Sequence, residues 1–266
     1  MARKLNTMTV QRSERLTDHM VRVYLGGPGF DELELSDDTD MYVKLIFGDP
    51  TPASGRPTLR TYTVRAVDHE KREIALDFVV HGDTGLAGPW AQSVQPGEQI
   101  QFLGPGGGYR PNPEAGWHLL ACDEAGLPAV AAALAGMPAD AQGLAFIEVA
   151  GPADELPLEV PAGIDVAWIH RGVSSDELTD ENAGDNAPLV AAVRAAPWRD
   201  GEPQVFIHGE AGAVMHNLRK YIRKDRGVPA ASASISGYWR RGRTEEGFRE
   251  WKADLREAEA VAGTAL

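Results

Sequence analysis

Residues Arg60 to Arg65 read RTYTVR, and this stretch guides our interpretation of the whole chain. It alternates cationic, aromatic and β-branched residues at the spacing of a β-strand, in which successive side chains point to opposite faces. We therefore expect Arg60 and Tyr62 on one face and Thr61 and Thr63 on the other. A guanidinium and a flat ring on one face suit a phosphate and a planar cofactor. The alternative is an ordinary edge strand with one solvated arginine.

The composition is that of a soluble globular protein, with 43% hydrophobic and 24% charged residues. Its 266 residues suffice for one large domain or two ordinary ones. No apolar run is long enough to span a membrane, and the N-terminal MARKLNTMTVQRSERL lacks the apolar core of a secretory signal. We expect a cytoplasmic protein that is not embedded in a membrane, and a monomer.

Charge and cysteine content exclude two functional classes. The net charge of -13 argues against binding of nucleic acid. The single cysteine, Cys122, cannot hold an iron–sulfur cluster, so any redox chemistry requires an organic cofactor. The charge is uneven, because residues 219–256 carry eleven Lys/Arg and only five Asp/Glu. This basic stretch fits either an anion site or an amphipathic helix with a solvated face, and we favour the helix for Arg219 to Arg226.

The period of the apolar pattern changes once along the chain. Up to Gly104, short alternating segments separated by Gly/Pro turns predict about six strands of a small antiparallel barrel, with one short helix at Leu86 to Val94. After the Gly/Pro-dense stretch Gly104 to Gly116, apolar strands alternate with helices, which predicts a parallel sheet covered on both faces. We therefore predict two domains, residues 1–112 and 113–266.

Gly104 to Gly108 does not fit a dinucleotide fingerprint. That motif needs a third glycine that opens a helix, whereas Tyr109 stands in this place and Arg110 and Pro111 follow it. We interpret the glycines as the turn between the domains. His208 and His216 are eight residues apart on different predicted elements, which makes a poor metal site, and we predict no bound metal.

The ordered motifs resemble those of the siderophore-interacting protein family. RTYTVR matches the family pattern R-x-Y-[ST]-V, and Asp77 to Gly85 (DFVVHGDTG) matches D-F-x-x-H-G-D-x-G. Later stretches correspond in the same order: LGPGG from Leu103, DEAGLPAV from Asp123, HGEAGAV from His208 and GYWRRGRTEEGF from Gly237. The resemblance implies a ferredoxin reductase-like fold, in which a flavin-binding barrel precedes an NAD(P)-binding-like domain, and FAD-dependent reduction of ferric siderophores.

The resemblance also implies where FAD would bind. The flavin ring would lie against Tyr62, with its phosphates near Arg60 and the turn at Ala87 and Gly88, and backbone groups of β-strand residues would contact its polar edge. The remaining cofactor-binding candidates are Thr63, Val64, Asp77, Phe78, Val79, Val80, His81, Asp123, Tyr238 and Trp239. The chain departs from the family where Leu86, Gly88 and Pro89 replace P, S and R of GPASRWA, so a serine contact is lost.

In the second half, several predicted roles have alternatives. Asp123 precedes a predicted helix, so it is either an N-cap or a contact for the cofactor's adenosine. His208, Gly209 and Glu210 end a predicted parallel strand, which is where NAD(P)H would approach. Tyr238 and Trp239 would cover the flavin or pack within the fold.

Basic residues near these motifs are candidates for binding an anionic ferric siderophore. They are Lys44, Arg110, Arg240 and Arg241, each of which could also be an ordinary surface charge. Electrons would come from NAD(P)H or from a reduced ferredoxin-like protein, and no catalytic side chain is needed because the flavin performs the chemistry. Two alternatives remain: an NAD(P)H-dependent flavin reductase with another acceptor, and a siderophore- or flavin-binding carrier without enzyme activity.

Overall fold

The structure, a computed structural model, describes residues 4–49, 55, 57–81 and 85–261, with side chains up to residue 258. Gly82, Asp83 and Thr84 of the predicted phosphate turn lie outside these residues. The chain divides into two compact units. The first consists of Met1–Pro111, Pro128–Gly136 and Leu156–Glu159, and the second of Asn112–Leu127, Met137–Glu155 and Val160–Leu266.

Six antiparallel strands close a barrel in the first unit, as the alternating pattern predicted, in the order β1-β2-β5-β4-β3-β6. The strands are β1 (Leu5–Thr17), β2 (Met20–Gly26), β3 (Tyr42–Phe47), β4 (Thr58–Asp68), β5 (Glu73–Val79) and β6 (Gln99–Gly106). Alternate residues of the strands fill the interior, among them Val23, Leu45, Leu76 and Phe102, which are fully buried. A short helix, α1 (Ala87–Ser93), follows β5.

The neighbouring barrel strands β4 and β5 are paired along only part of their length. β4 pairs with β5 from Asp68↔Glu73 to Val64↔Leu76, with a bulge near Val64. The preceding stretch of β4, from Thr58 to Thr63, pairs with β3. Among the described residues, no register pair joins this stretch to the end of β5. The end of β5, Asp77–Val79, pairs with β2 instead. We call the part of the barrel wall between Thr58–Thr63 and Asp77–Val79, where no register pair of the described residues joins the two strands, the β4–β5 cleft.

The second unit contains a five-stranded parallel sheet in the order β11-β10-β7-β8-β9. Its strands are β7 (Trp117–Cys122), β8 (Gln142–Val149), β9 (Gly163–His170), β10 (Pro203–Glu210) and β11 (Ala233–Trp239). The α-helices in the described part of this half of the chain are α2 (Leu127–Ala135), most of which belongs to the first unit, α3 (Pro188–Ala195) and α4 (Glu245–Val261). The predicted alternation of strands and helices is confirmed. In the described part of the chain, no helix has the length and hydrophobicity needed to cross a membrane.

Two local predictions differ from the structure. Gly104 to Gly106 continue β6 rather than forming a turn, because an irregularity opposite Tyr42 and Lys44 lets pairing with β3 resume at Gly106. The helix predicted after β10 has π-type hydrogen bonding at Gly212–Leu218 and Tyr221–Asp225. The side-chain amide of Asn217 donates to the Gly212 carbonyl at 3.0 Å, which occupies an acceptor of the regular helix.

Candidate functional site

The β4–β5 cleft brings together the aromatic residues predicted to contact a flavin. The ring centroids of Tyr62 and Phe78 lie 4.1 Å apart, with an angle of 34° between the ring planes. Phe78 is fully buried in the barrel, whereas Tyr62 is only partly buried against the same core. The Tyr62 ring thus has a packed face supplied by the barrel and an accessible part on which a planar group can lie.

The other predicted residues of β4 are partly engaged in the barrel. Arg60 is half-buried, and its Nη1 donates to the Leu59 carbonyl at 2.8 Å. Thr63 and Val64 are buried, and the Val64 N–H donates to the Met41 carbonyl at 2.7 Å. The alternation of buried and more exposed side chains along β4 therefore ends near the bulge, where the consecutive residues Thr63 and Val64 are both buried.

The cofactor-binding residues predicted on and after β5 differ in how much of each is available to a ligand. The Asp77 carboxylate accepts two hydrogen bonds from Arg22, at 2.6 and 2.8 Å, and this pairing raises the pKa of the Arg22 guanidinium. Asp77 therefore offers mainly its backbone to a ligand. Val79 is half-buried, and Val80 is buried with its N–H bonded to the His19 carbonyl.

His81 follows this strand with a buried polar atom. Its ring Nδ1 is buried and lacks a hydrogen-bond partner among the described residues. A buried polar atom without a partner is costly, so a hydrogen-bonding ligand at this position would stabilise the protein.

The start of α1 lies against the end of β5. Ala87 is buried, and Gly88 is half-buried. A Cβ at Gly88 would lie 3.6 Å from the Val79 carbonyl oxygen, so the family's serine would also fit here. The first intrahelical bond recorded in this helix runs from the Trp90 N–H to the Leu86 carbonyl. The N–H groups of Ala87 and Gly88 precede it and have no acceptor within the helix.

Three of the four basic candidates, Arg110, Arg240 and Arg241, are engaged in ion pairs of differing exposure. In the first unit, Lys44 is half-buried on β3, and Arg110 pairs with Asp37 at 3.1 Å. In the second unit, Arg240 pairs with the buried Glu210 at 3.4 Å, and Arg241 pairs with Asp180. Asp37 and Asp180 are highly exposed, so an anionic ligand could replace them at little cost.

In the second unit, Asp123 lies at the carboxyl end of β7 and accepts four hydrogen bonds. Its Oδ1 accepts the N–H groups of Ala125 and Gly126, at 3.0 and 3.2 Å. Its Oδ2 accepts the Glu210 N–H and the Trp239 indole N–H, both at 2.8 Å. The two bonds to Oδ1 fit the cap alternative, at the turn that leads into α2. Burial and the nearby Glu124 charge raise the pKa of Asp123 to about 7.

A buried charge cluster beside Asp123 was not predicted from the sequence. The Arg171 guanidinium makes a bidentate pair with Glu124 and contacts Glu148 Oε1 at 3.2 Å. The second Glu148 oxygen accepts the Leu189 N–H at the start of α3, at 2.7 Å. All three charged side chains are almost fully buried. The partners of Arg171 lie 47 and 23 residues away in the chain, so no local pattern indicated this cluster.

The three residues predicted to meet NAD(P)H occupy different environments. The His208 side chain is buried, stacked on Phe206 at 4.0 Å and bonded to Ser234 Oγ at 2.9 Å. Burial lowers the pKa of His208 to about 3. Gly209 lies directly against Asp123, and the Glu210 carboxylate accepts the N–H groups of Ala213 and Arg241.

The aromatic pair at the end of β11 is partly buried. Tyr238 meets the His208 ring edge to face at 4.8 Å, whereas Trp239 is bonded to Asp123. Both side chains therefore have packing roles within the second unit. Across the described ranges, no group of three or more His, Cys, Asp or Glu side chains is arranged to hold a metal ion.

Family models match both halves of the chain. A siderophore-interacting FAD-binding domain matches residues 9–54 and 48–109, and a siderophore-interacting protein model matches residues 115–242.

Full-length relatives extend this similarity. An uncharacterized protein of Mycobacterium tuberculosis is 52% identical over 277 residues, which is 97% of this chain and 98% of that protein. The ferric vibriobactin reductase ViuB of Vibrio cholerae is 30% identical, over 90% of both chains. An NADPH-dependent ferric-chelate reductase of Escherichia coli is 29% identical, over 89% of this chain and 93% of the relative.

Solved structures support the same grouping. A siderophore utilization protein from T. fusca superimposes with a TM-score of 0.77 at 35% identity, covering 92% of this chain and 95% of that one. The ferredoxin reductase in carbazole 1,9a-dioxygenase superimposes with a TM-score of 0.65 at 17% identity, covering 89% of this chain and 70% of that one. The latter likeness concerns the fold alone, which is ferredoxin reductase-like.

Proposed function

Because the chain belongs to the siderophore-interacting protein family, we propose that it is an FAD-dependent reductase of ferric siderophores that releases Fe(II). The observation that carries the proposal is the β4–β5 cleft, which lies within the region matched by the family's FAD-binding domain. ViuB, similar over 90% of both chains, is a ferric vibriobactin reductase, which supports the same reaction here.

The residues of the first unit fit FAD. The half-buried Tyr62 ring lies against Phe78, and the buried Nδ1 of His81 lacks a partner among the described residues. Tyr62 would support the flavin ring, the backbone of Val79 and Val80 would line it, and Arg60 would lie near the phosphates. The α1 residues Ala87 and Gly88 would offer N–H groups to the diphosphate.

When bound, FAD would supply two electrons, which Fe(III) accepts one at a time. The chain's own task is binding and orientation, so no general acid or nucleophile is required. Fe(II) is held far less tightly than Fe(III) by the oxygen ligands of a siderophore, so reduction releases the iron. The cationic candidates for the chelate are Lys44 and Arg110 in the first unit and Arg240 and Arg241 in the second.

The electron donor would be NAD(P)H or a reduced ferredoxin-like protein. The E. coli relative is named an NADPH-dependent enzyme, which supports the first of these. The buried position of His208 does not favour a direct contact with nicotinamide. Donor and acceptor can be tested separately, because the flavin can be reduced chemically.

The test compares different electron acceptors with the same reduced, protein-bound flavin. FAD-loaded protein is reduced with dithionite under anaerobic conditions and mixed with ferric siderophores or a quinone, while flavin absorbance and a ferrous chelator are followed. We expect a ferric siderophore to oxidise the flavin at least about tenfold faster than the quinone does, a difference of about 1.4 kcal/mol in barrier. The proposal would be contradicted if the quinone oxidised the flavin faster than the ferric siderophore did. It would also be contradicted if the siderophore oxidised the bound flavin no faster than it oxidises free reduced FAD.

A further inference from the structure

The turn that follows β11 carries Arg240, Arg241 and Arg243. It is a β-turn, because the Arg243 N–H donates to the Arg240 carbonyl at 3.1 Å, and Gly242 at its tip has a φ of 73°, which glycine adopts readily. Arg240 and Arg241 are the cations of the second unit that the proposed function assigns to the ferric chelate. The contacts that hold this turn therefore bear on how the chelate is bound.

One buried carboxylate, that of Glu210 at the end of β10, holds the turn. Its Oε1 accepts the Arg241 N–H at 3.2 Å and a hydrogen bond from Arg240 Nη1 at 3.4 Å. Its Oε2 accepts the Ala213 N–H, at 2.9 Å. Because the Glu210 side chain is only 9% exposed, water competes little for these hydrogen bonds. Glu210 thus connects the arginine turn to the helical segment that follows β10.

The Arg240 side chain is held by contacts on several sides. Its guanidinium lies over the Trp251 ring of α4, 5.2 Å from the ring centre, and pairs with Glu210. Gly212 permits this arrangement, because an added Cβ there would lie 2.6 Å from Arg240 Nη1 and 2.7 Å from Glu210 Oε2. An external anion that took Arg240 would leave a buried carboxylate without its cation, which is costly.

The Arg241 side chain is held more weakly. It pairs with Asp180, whose side chain is 93% exposed, and its Nη1 donates to the Leu178 carbonyl at 3.3 Å. An ion pair with an exposed carboxylate contributes little stability, so an anion that offers several oxygen atoms can replace it. The main chain of Arg241 meanwhile stays bonded to Glu210. Arg241 therefore combines a fixed backbone with a guanidinium that can change partners.

We propose that Glu210 is a positioning residue of the ferric-chelate site, which fixes the turn so that Arg241 rather than Arg240 contacts the anion. Glu210 acts through Arg241 and does not itself touch the chelate. The inference rests on the proposed function for the identity of the ligand. It concerns binding alone, which can be measured with oxidised flavin and without an electron donor.

The main test is Gly212→Ala, which changes no charge. The added Cβ would displace the ends of the Glu210 and Arg240 side chains, whereas a Cβ at Gly247 would lie 3.6 Å from Thr244 Oγ1, an ordinary contact, so Gly247→Ala is the matched control. The probes are a hexadentate ferric tris-catecholate, which is a trianion, and a neutral hexadentate ferric tris-hydroxamate. Quenching of tryptophan fluorescence in FAD-loaded full-length protein gives the Kd of each.

We expect Gly212→Ala to raise the Kd of the tris-catecholate at least about tenfold and that of the tris-hydroxamate less. Gly247→Ala should match the wild type with both probes. Arg241→Met should weaken binding of the tris-catecholate to a similar extent. Adding Gly212→Ala to Arg241→Met should then change the Kd little further, because the alanine acts through Arg241.

Two substitutions of Glu210 separate its position from its charge. Glu210→Gln and Glu210→Ala both remove the charge, but the amide oxygen of glutamine can still accept the Arg241 N–H. We expect the alanine variant to bind the tris-catecholate at least about tenfold more weakly than the glutamine variant. Equal affinities would show that only the charge of Glu210 matters, which would overturn the proposal. If Glu210→Ala does not fold, the Gly212→Ala series decides alone.

The remaining outcomes also decide. An unchanged Kd of the tris-catecholate in Gly212→Ala, or a full additional loss in the double variant, would overturn the proposal. Equal losses for the two probes would indicate a general disturbance of the fold and would overturn it too, as would a wild type that binds neither probe. A protein that shows the expected differences in binding but does not reduce the chelate would reject the proposed function and leave this inference standing.

Discussion

The Trp239 indole N–H donates to Asp123 Oδ2 at 2.8 Å and joins the ends of β11 and β7 within the second unit. The two residues are 116 positions apart in the chain, and the Asp123 carboxylate is buried. This hydrogen bond lowers the pKa of Asp123 and so opposes the effect of burial. The bond therefore contributes both to stability and to the charge at the strand ends.

Trp239→Phe should destabilise the protein by about 1–3 kcal/mol, because it leaves a buried carboxylate with one donor fewer. The pKa of Asp123 should rise further, since the lowering contribution is lost. Urea unfolding measures the first effect. Trp251→Phe is the matched control, because Trp251 packs on Phe248 and His216 and makes no hydrogen bond among the described residues. Equal losses in both variants would contradict the prediction.

His208 should make the protein sensitive to acid. Its pKa is about 3 in the folded protein and 6.5 in the unfolded chain, so the unfolded state binds more protons between these values. Stability from this residue is complete above about pH 6.5 and is lost as the pH falls towards 3, by up to about 1.4 kcal/mol per pH unit.

The variant His208→Phe isolates this contribution. Phenylalanine can replace the imidazole between Phe206 and Tyr238 and cannot take up a proton. Asp123 has a raised pKa, so its contribution falls as the pH rises from about 4 to 7, opposite in sign to that of His208. Urea unfolding at several pH values should therefore show a smaller loss on acidification for the variant than for the wild type. Parallel curves for the two proteins would refute the assignment.

Arg171→Met should cost about 3–5 kcal/mol, because it leaves the buried carboxylates Glu124 and Glu148 without their cation. Arg199→Met removes an exposed pair with Asp165 and should cost at most about 1 kcal/mol. Chemical denaturation of both variants gives the comparison. A small cost for Arg171→Met would mean that the cluster is not buried as a unit in solution.

Tyr62→Ala should weaken FAD binding at least about tenfold, because it removes the ring that would support the flavin. Tyr62→Phe keeps the ring and should bind FAD nearly as well as the wild type. Tyr24→Ala is the control, since its ring lies 3.4 Å from the Arg12 guanidinium on another strand of the barrel. Flavin fluorescence titration of the apoprotein measures all three. Unchanged affinity in Tyr62→Ala would remove Tyr62 from the proposed site.

Much of the fold follows from local patterns. The alternation in RTYTVR and its neighbours predicts barrel strands, and the change of period after Gly116 predicts the parallel sheet, because both patterns report burial over a few residues. The Asp123 cap was one of two alternatives that the sequence offered, since the N–H donors that its carboxylate accepts lie two and three residues ahead.

The unpredicted features depend on residues far apart in the chain. The Glu210 N–H that completes the Asp123 site is 87 residues away, and Arg171 meets Glu124 across 47 residues. The burial of His208 depends on its packing against Phe206 and Tyr238, which its position at a strand end does not reveal. The pairing of β4 with β5 likewise ends beside a register shift between Val64 and Ala66 that has no distinctive sequence.

The most direct test of the central claim is the oxidation of protein-bound, chemically reduced FAD by a ferric siderophore without oxygen. One absorbance record follows the return of the oxidised flavin, and a second follows a ferrous chelator complex. The account predicts that about two Fe(II) are released for each FAD oxidised, faster than with free reduced FAD. A protein that takes up no FAD, or bound reduced FAD that persists in the presence of the ferric siderophore, would contradict it.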